Sequence, residues 1–131
     1  MLSHLSEGRI EEFVSEFDSR FTFSDHALDL QFSEKERLTE FLQKSRELFP
    51  DTAIDVTSVL QSGDTAVAEW KLTATETLAY GSIKPRVRIS LSGVTVVQFR
   101  QGKVTRWSDY YDPLKSRRAG LAGLFTEWVE Y

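Results

Sequence analysis

"GKVTRWSDYYD", Gly102 to Asp112, opens on a turn signal and runs into a segment with Trp107, Asp109 and Tyr111 at every second position. Side chains alternate faces along a strand, so these three share one face. Facing water, a carboxylate between two aromatics would be ordinary. Facing a cavity, it would have its pKa raised by desolvation and could do proton chemistry. Upstream, "RVRISLSGVTVVQF" reads as a long strand joined to this one at "RQGK", and Gly93 in its middle predicts a bulge or bend. "AIDVTSVL" and "TAVAEWKLTAT" form a further pair across the hairpin signal "QSGD". On the second of them Ala66, Ala68, Trp70, Leu72 and Ala74 face one way.

Ahead of the strands the period changes. "SEKERLTEFLQKSRELFP" reads as a helix with a capping box of Ser33 and Glu36, and Pro50 stops it. Its inner stripe is Leu38, Phe41, Leu42, Ser45, Leu48 and Phe49. "RFTFSDH" reads as a short strand with Phe21, Phe23 and Asp25 on one face. "SEGRIEEFVSEF" places Ile10, Phe13, Val14 and Phe17 at helical spacing behind Ser6 as N-cap. After Pro113, "LKSRRAGLAGLFTEWVEY" reads as a terminal helix with Leu114, Leu121, Phe125 and Trp128 on one side. Helices grouped before a run of antiparallel strands indicate an α+β fold: a bent antiparallel sheet wrapped on helices, forming a cone with a concave mouth. The division is a cone domain over 1–113 and a helical tail over 114–131.

Composition narrows the function. The chain has 131 residues, enough for one domain with a core. A net charge of −4 and the absence of a run of Lys or Arg argue against a nucleic-acid partner. With no cysteine and only His4 and His26, thiolate chemistry, disulfides and a His- or Cys-built metal site are excluded, and no metal is expected. No stretch approaches the ~18 apolar residues of a membrane span, so no membrane partner is expected and the cytoplasm is the default location.

Taken together, "FTFSDHAL", the helix ending "LFPD", "AVAEWKLTATET" and "RISLSGVTVVQFRQGKVTRWSDYYD" resemble the SnoaL-like, ketosteroid-isomerase-like branch of the nuclear transport factor 2-like superfamily. The resemblance runs from about Leu5 to Asp112, and its closing G-K-[IV]-x-x-W-x-D-Y-[FY]-D pattern is fairly specific for the SnoaL-like group. It implies a cone-shaped curved sheet, a homodimer through that sheet, and cofactor-free chemistry. It also implies that Phe23, Asp25, Trp70, Leu72, Thr95, Trp107, Asp109 and Tyr111 point into the cone. Asp25, in "FSDH", matches the isomerase base; Thr95 stands where those enzymes carry an acid that donates to the oxyanion. "LSEGRIEEF" resembles the family's second helix, so the first helix is expected to be short or truncated. Epoxide hydrolases of the fold use an Asp-Arg-Asp trio. Asp109 matches the last member, but Trp70 and Leu72 replace the Arg and the other Asp. Both departures count against direct transfer of either mechanism.

The composite expectation is a protein that binds a small hydrophobic, carbonyl-bearing molecule. As an enzyme it would be an isomerase, cyclase or dehydratase using Asp25 as base and Asp109 as protonated donor, with Tyr111 orienting the substrate oxygen. The competing expectation is a non-catalytic ligand-binding or dimerisation module of the same fold. In it Asp25 caps the "SDHALD" turn, Asp109 is a structural hydrogen-bond acceptor, and Phe21, Phe23, Trp70 and Trp107 are core. His26, one residue from Asp25, should point the other way, and Arg86 and Arg88 should lie on a solvated or dimer face. Tyr80 falls on a loop, lining the mouth or lying on the surface, and the tail is expected to cross the mouth or a partner subunit.

Overall fold

The computed structural model describes residues 2–77 and 86–112. The expected tail helix over 114–131 and the Tyr80 loop lie outside the described residues. Two short helices, α1 (Leu2–Ser6) and α2 (Ile10–Ser15), lead into strand β1 (Phe17–Asp25) and a short β2 (Leu30–Phe32). Helix α3 (Lys35–Leu48) follows, then β3 (Ala53–Ser62), β4 (Thr65–Thr77), β5 (Arg86–Arg100) and β6 (Lys103–Tyr111). The six strands form one sheet in the order β2-β1-β6-β5-β4-β3. The fold is the expected α+β type with a curved sheet. No helix among the described residues is long and apolar enough to cross a membrane.

All but one of the strand pairs are antiparallel; β1 lies parallel to β6. Periodicity reports which face a residue takes but not which distant strand it meets, so this pairing is invisible locally. Its consequence is decisive, because the register sets Asp25 directly beside Asp109. The β5–β6 hairpin turns at Gln101 and Gly102, both at positive φ, as the two-residue turn that suits strand twist requires.

Several local expectations are corrected. Helix α2 ends at Ser15 and Phe17 opens β1, so the helical spacing of Phe17 is coincidental. Ser6 ends α1 instead of capping α2, and its hydroxyl accepts the Ile54 amide. The Ser33–Glu36 capping box is not formed: α3 starts one residue later, with Glu34 at the N-cap and no side-chain cap bond. Leu48 is 71% exposed and not part of the stripe. In that last turn it is Arg46, four residues after Leu42, that turns toward α1.

Gly93 sits in unbroken pairing between Trp70 on β4 and Tyr111 on β6, so it makes no bulge. Glycine is required for another reason: a Cβ there would overlap the Trp70 indole and stand 2.9 Å from the Tyr110 carbonyl oxygen. The outer edge of the indole's six-membered ring fills the space the missing side chain leaves. Gly93→Ala is expected to cost roughly 1–3 kcal/mol through overpacking, read as a lowered urea midpoint with unchanged slope.

The core is aromatic. Phe13, Phe17, Phe21, Phe23 and Trp107 pack with Val14, Leu38, Leu42, Val97 and Val104 between the helices and the sheet. Phe13 meets Trp107 edge-on at 5.0 Å between ring centres, and Phe23 stacks on Trp107 at 6.2 Å. This packing closes one end of the space beneath the sheet. The other end stays open.

Candidate active site

The open end is a cavity of about 350 Å³ between the helices and the inner face of the sheet. The eight residues expected to point into the cone line it: Phe23, Asp25, Trp70, Leu72, Thr95, Trp107, Asp109 and Tyr111. Phe23 and Trp107 are 2% and 1% exposed, so they are core residues first and wall residues only at an edge. His26 is exposed and stacks on Tyr110 at 4.3 Å, away from Asp25.

Two carboxylates from adjoining strands meet in this cavity. Asp25 ends β1 and is 5% exposed. Its Oδ1 accepts the Leu28 amide at 3.0 Å and its Oδ2 accepts the Tyr111 hydroxyl at 2.7 Å. It therefore caps the turn and also belongs to the cavity. Asp109 is its register partner on β6, and neighbouring strands lie ~4.8 Å apart, close enough for both acids to reach one small molecule.

Asp109 is held by one oxygen. Its Oδ1 accepts the Thr95 hydroxyl at 2.5 Å and the Trp107 indole N–H at 2.9 Å. Thr95 in turn accepts the Trp70 indole N–H at 2.8 Å. The chain of donors runs from Trp70 to Thr95 to Asp109, with Trp107 closing it from the same strand. Among the described residues, Oδ2 of Asp109 accepts no hydrogen bond. Neither Arg106 nor Ser108 holds it: Arg106 bonds Ser108 instead.

Burial pushes the Asp109 carboxyl up to about 7, and the neighbouring charge of Asp25 adds to it; the Thr95 and Trp107 hydrogen bonds pull the other way without prevailing. Burial also drives the Tyr111 phenol well above its usual range, reinforced by its bond to Asp25 and the charges of both acids. Tyr111 thus keeps its proton and donates a hydrogen bond to Asp25.

The sequence reading missed other wall residues. Ile10, Phe41 and Ser45 come from the helices, Leu91 from β5, and Arg46 and Glu76 add charge. The signal for Arg46 was its spacing from Leu42, which sets its stem on the apolar stripe while its charged end reads as solvated. No group of three or more His, Asp or Glu among the described residues is arranged to hold a metal ion.

A curved sheet closed over a cavity by short helices, with polar groups deep inside, defines the nuclear transport factor 2-like class. Within it the chain belongs to the SnoaL-like domain family, whose model matches residues 1–107. No curated protein matches the sequence. Among solved structures, a protein of ketosteroid isomerase-like fold from Catenulispora acidiphila, in complex with trimethylamine, superposes with a TM-score of 0.75 at 15% identity, covering 98% of this chain and 92% of that one. A protein assigned as a SnoaL-like polyketide cyclase from Shewanella putrefaciens gives 0.77 at 14% identity, covering 93% and 80%. An LEH-like epoxide hydrolase of M. tuberculosis gives 0.73 at 15%, covering 98% and 89%. At these identities the likeness is one of fold.

Proposed function

We propose that the protein binds a small apolar molecule bearing a carbonyl group and moves a proton at the carbon beside it, without a cofactor. The observation that carries this reading is Asp109: its Oδ1 is saturated by Thr95 and Trp107, and it stands beside Asp25 in an apolar cavity. A proton on Asp109 then belongs on Oδ2, where it can be given to a substrate oxygen. Asp25 takes the proton α to the carbonyl, and Tyr111, bonded to Asp25, keeps that carboxylate oriented and can turn toward the substrate oxygen. Trp70, Leu72 and Phe23 exclude water, which strengthens the hydrogen bond to the developing enolate. Isomerisation, cyclisation and dehydration all begin with this step. The test is deuterium exchange: aryl ketones and cyclic enones, acetophenone first, are incubated with protein in D2O and the α-protons followed by NMR. Acceleration over buffer supports the reading, and its absence across the panel overturns it.

The binding-module reading has its own observation. Both Asp25 oxygens are engaged, one in a turn, and the Trp70–Thr95–Asp109 chain would hold structure equally well. Ligand binding without exchange would decide for it.

The protein is proposed to pair through the outer face of its sheet. Leu60, Val67 and Val96 sit side by side across β3, β4 and β5, with Val94 opposite Tyr110 in the next row. Leu60 is 72% exposed. An apolar stripe of this kind needs covering. Leu60→Asp with Val96→Asp is expected to halve the mass seen by light scattering, and a wild-type protein that runs as a monomer removes the idea.

A further inference from the structure

Arg46 lines the same cavity. It is half-buried, and its Nη1 donates to the carbonyls of Ser6 at 3.1 Å, Thr52 at 3.2 Å and Leu5 at 3.4 Å. Those bonds fasten α1 and the start of β3 to α3. They satisfy Nη1 but neutralise no charge. No carboxylate lies within salt-bridge distance of Arg46 among the described residues, and Nε and Nη2 have no hydrogen-bond partner there. Gly8, at positive φ, covers the group closely: a Cβ on it would stand 3.2 Å from Nε. A half-buried cation on an apolar wall is costly unless something pairs with it. The Nε–Nη2 edge is the part of a guanidinium that takes a carboxylate with two parallel bonds.

Arg46 and the acid pair are far apart. Asp109 pairs with Thr95, whereas Ile54, two residues past the Thr52 carbonyl, pairs with Leu72, which pairs with Leu91. Ala53, next to that carbonyl, pairs with Thr73, which pairs with Ser90; Ser90 and Thr95 are five residues apart on β5, about 16 Å at ~3.3 Å per residue, and β3 lies two strand spacings, ~10 Å, to the side. The wall between is largely apolar, with Leu72, Leu91 and Trp70 on it.

We infer that Arg46 is an anion-recognising residue, and that the ligand is a flat keto acid: its carbonyl meets Asp25 and Asp109, and a carboxylate at its far end meets the free edge of Arg46. This rests on the proton-transfer reading for the carbonyl end only. The acids that serve the carbonyl repel a carboxylate, as does Glu76 elsewhere on the wall, so the carboxylate end of such a ligand settles against Arg46.

The test compares 4'-acetylbiphenyl-4-carboxylate with 4-acetylbiphenyl, an elongated pair that differs by the carboxylate at the end opposite the ketone. Affinities for the full chain are read by NMR titration. The keto acid is expected to bind at least tenfold more tightly than the ketone, with Arg46→Gln abolishing the preference. Because Arg46→Gln also cuts the bonds to α1, a wild-type measurement stands beside it: the Arg46 Nε–Hε resonance should move with 4'-acetylbiphenyl-4-carboxylate and stay with 4-acetylbiphenyl. Equal affinities, a preference that survives Arg46→Gln, or an unmoved Nε–Hε resonance overturns the inference while leaving the cavity reading intact. Failure of both compounds to bind overturns the two together.

Discussion

At pH 8 Asp109→Asn melts well above the wild-type protein, and the gap closes as the pH falls toward 4. The folded protein holds the Asp109 proton up to about pH 7, whereas the unfolded chain releases it near 3.8. A raised folded-state pKa means a contribution to stability that is fully present below the unfolded value and is lost as pH rises through the folded one. The window is therefore about pH 4 to 7, with a plateau above. By the conversion of ~1.4 kcal/mol per pKa unit the full effect is about 4 kcal/mol, an upper figure because the cavity admits water. For a chain of this size that corresponds to a melting shift on the order of 10 °C. Asparagine keeps an oxygen for Thr95 and Trp107 and leaves its amide in the cavity, where Oδ2 stood. Asp18 and Asp51 have lowered pKa values, from hydrogen bonds with Arg20 and Thr75 respectively, and lose their contributions on acidification. Both are present in each protein, so the difference between the two melting curves isolates Asp109. Parallel curves from pH 4 to 8 would show that Asp109 carries no buried proton.

Most of the cavity's inner face was legible because alternation is a local property. Trp70, Leu72, Trp107, Asp109 and Tyr111 each followed from strand period, and the resemblance oriented the strands. What alternation could not supply was the partner. Trp107 and Thr95 both hold one oxygen of Asp109, yet one comes from β6 and the other from β5. The Asp25–Asp109 pairing depends on a parallel contact between strands some eighty residues apart, which leaves no mark in either segment. Helix ends were misread for a related reason. Ser33 and Ser6 are good caps by residue type, but Ser6 is taken by the Ile54 amide, and α3 starts at Lys35 with Glu34 at its N-cap. Gly93 was recognised as special and given the wrong cause, since the ring that needs its space lies on another strand.

Asp25→Asn should lower α-proton exchange by ~10²–10⁴, the range a positioned base contributes, while ketone affinity changes little. Asparagine can keep the bond from the Leu28 amide, so the turn survives. Its amide nitrogen can face the Tyr111 oxygen in place of the carboxylate oxygen that accepted the phenol proton. The variant thus removes the base and leaves the cavity. A second readout separates chemistry from fold: the charge of Asp25 is one of the causes that raise Asp109, so its loss must move the Asp109 titration below about 7. The wild-type exchange rate should fall as pH rises through that value, because Asp109 then has no proton to give. An Asp25→Asn protein with full exchange would assign the base elsewhere. One with reduced exchange and an unmoved Asp109 titration would break the link between the two acids on which the mechanism depends.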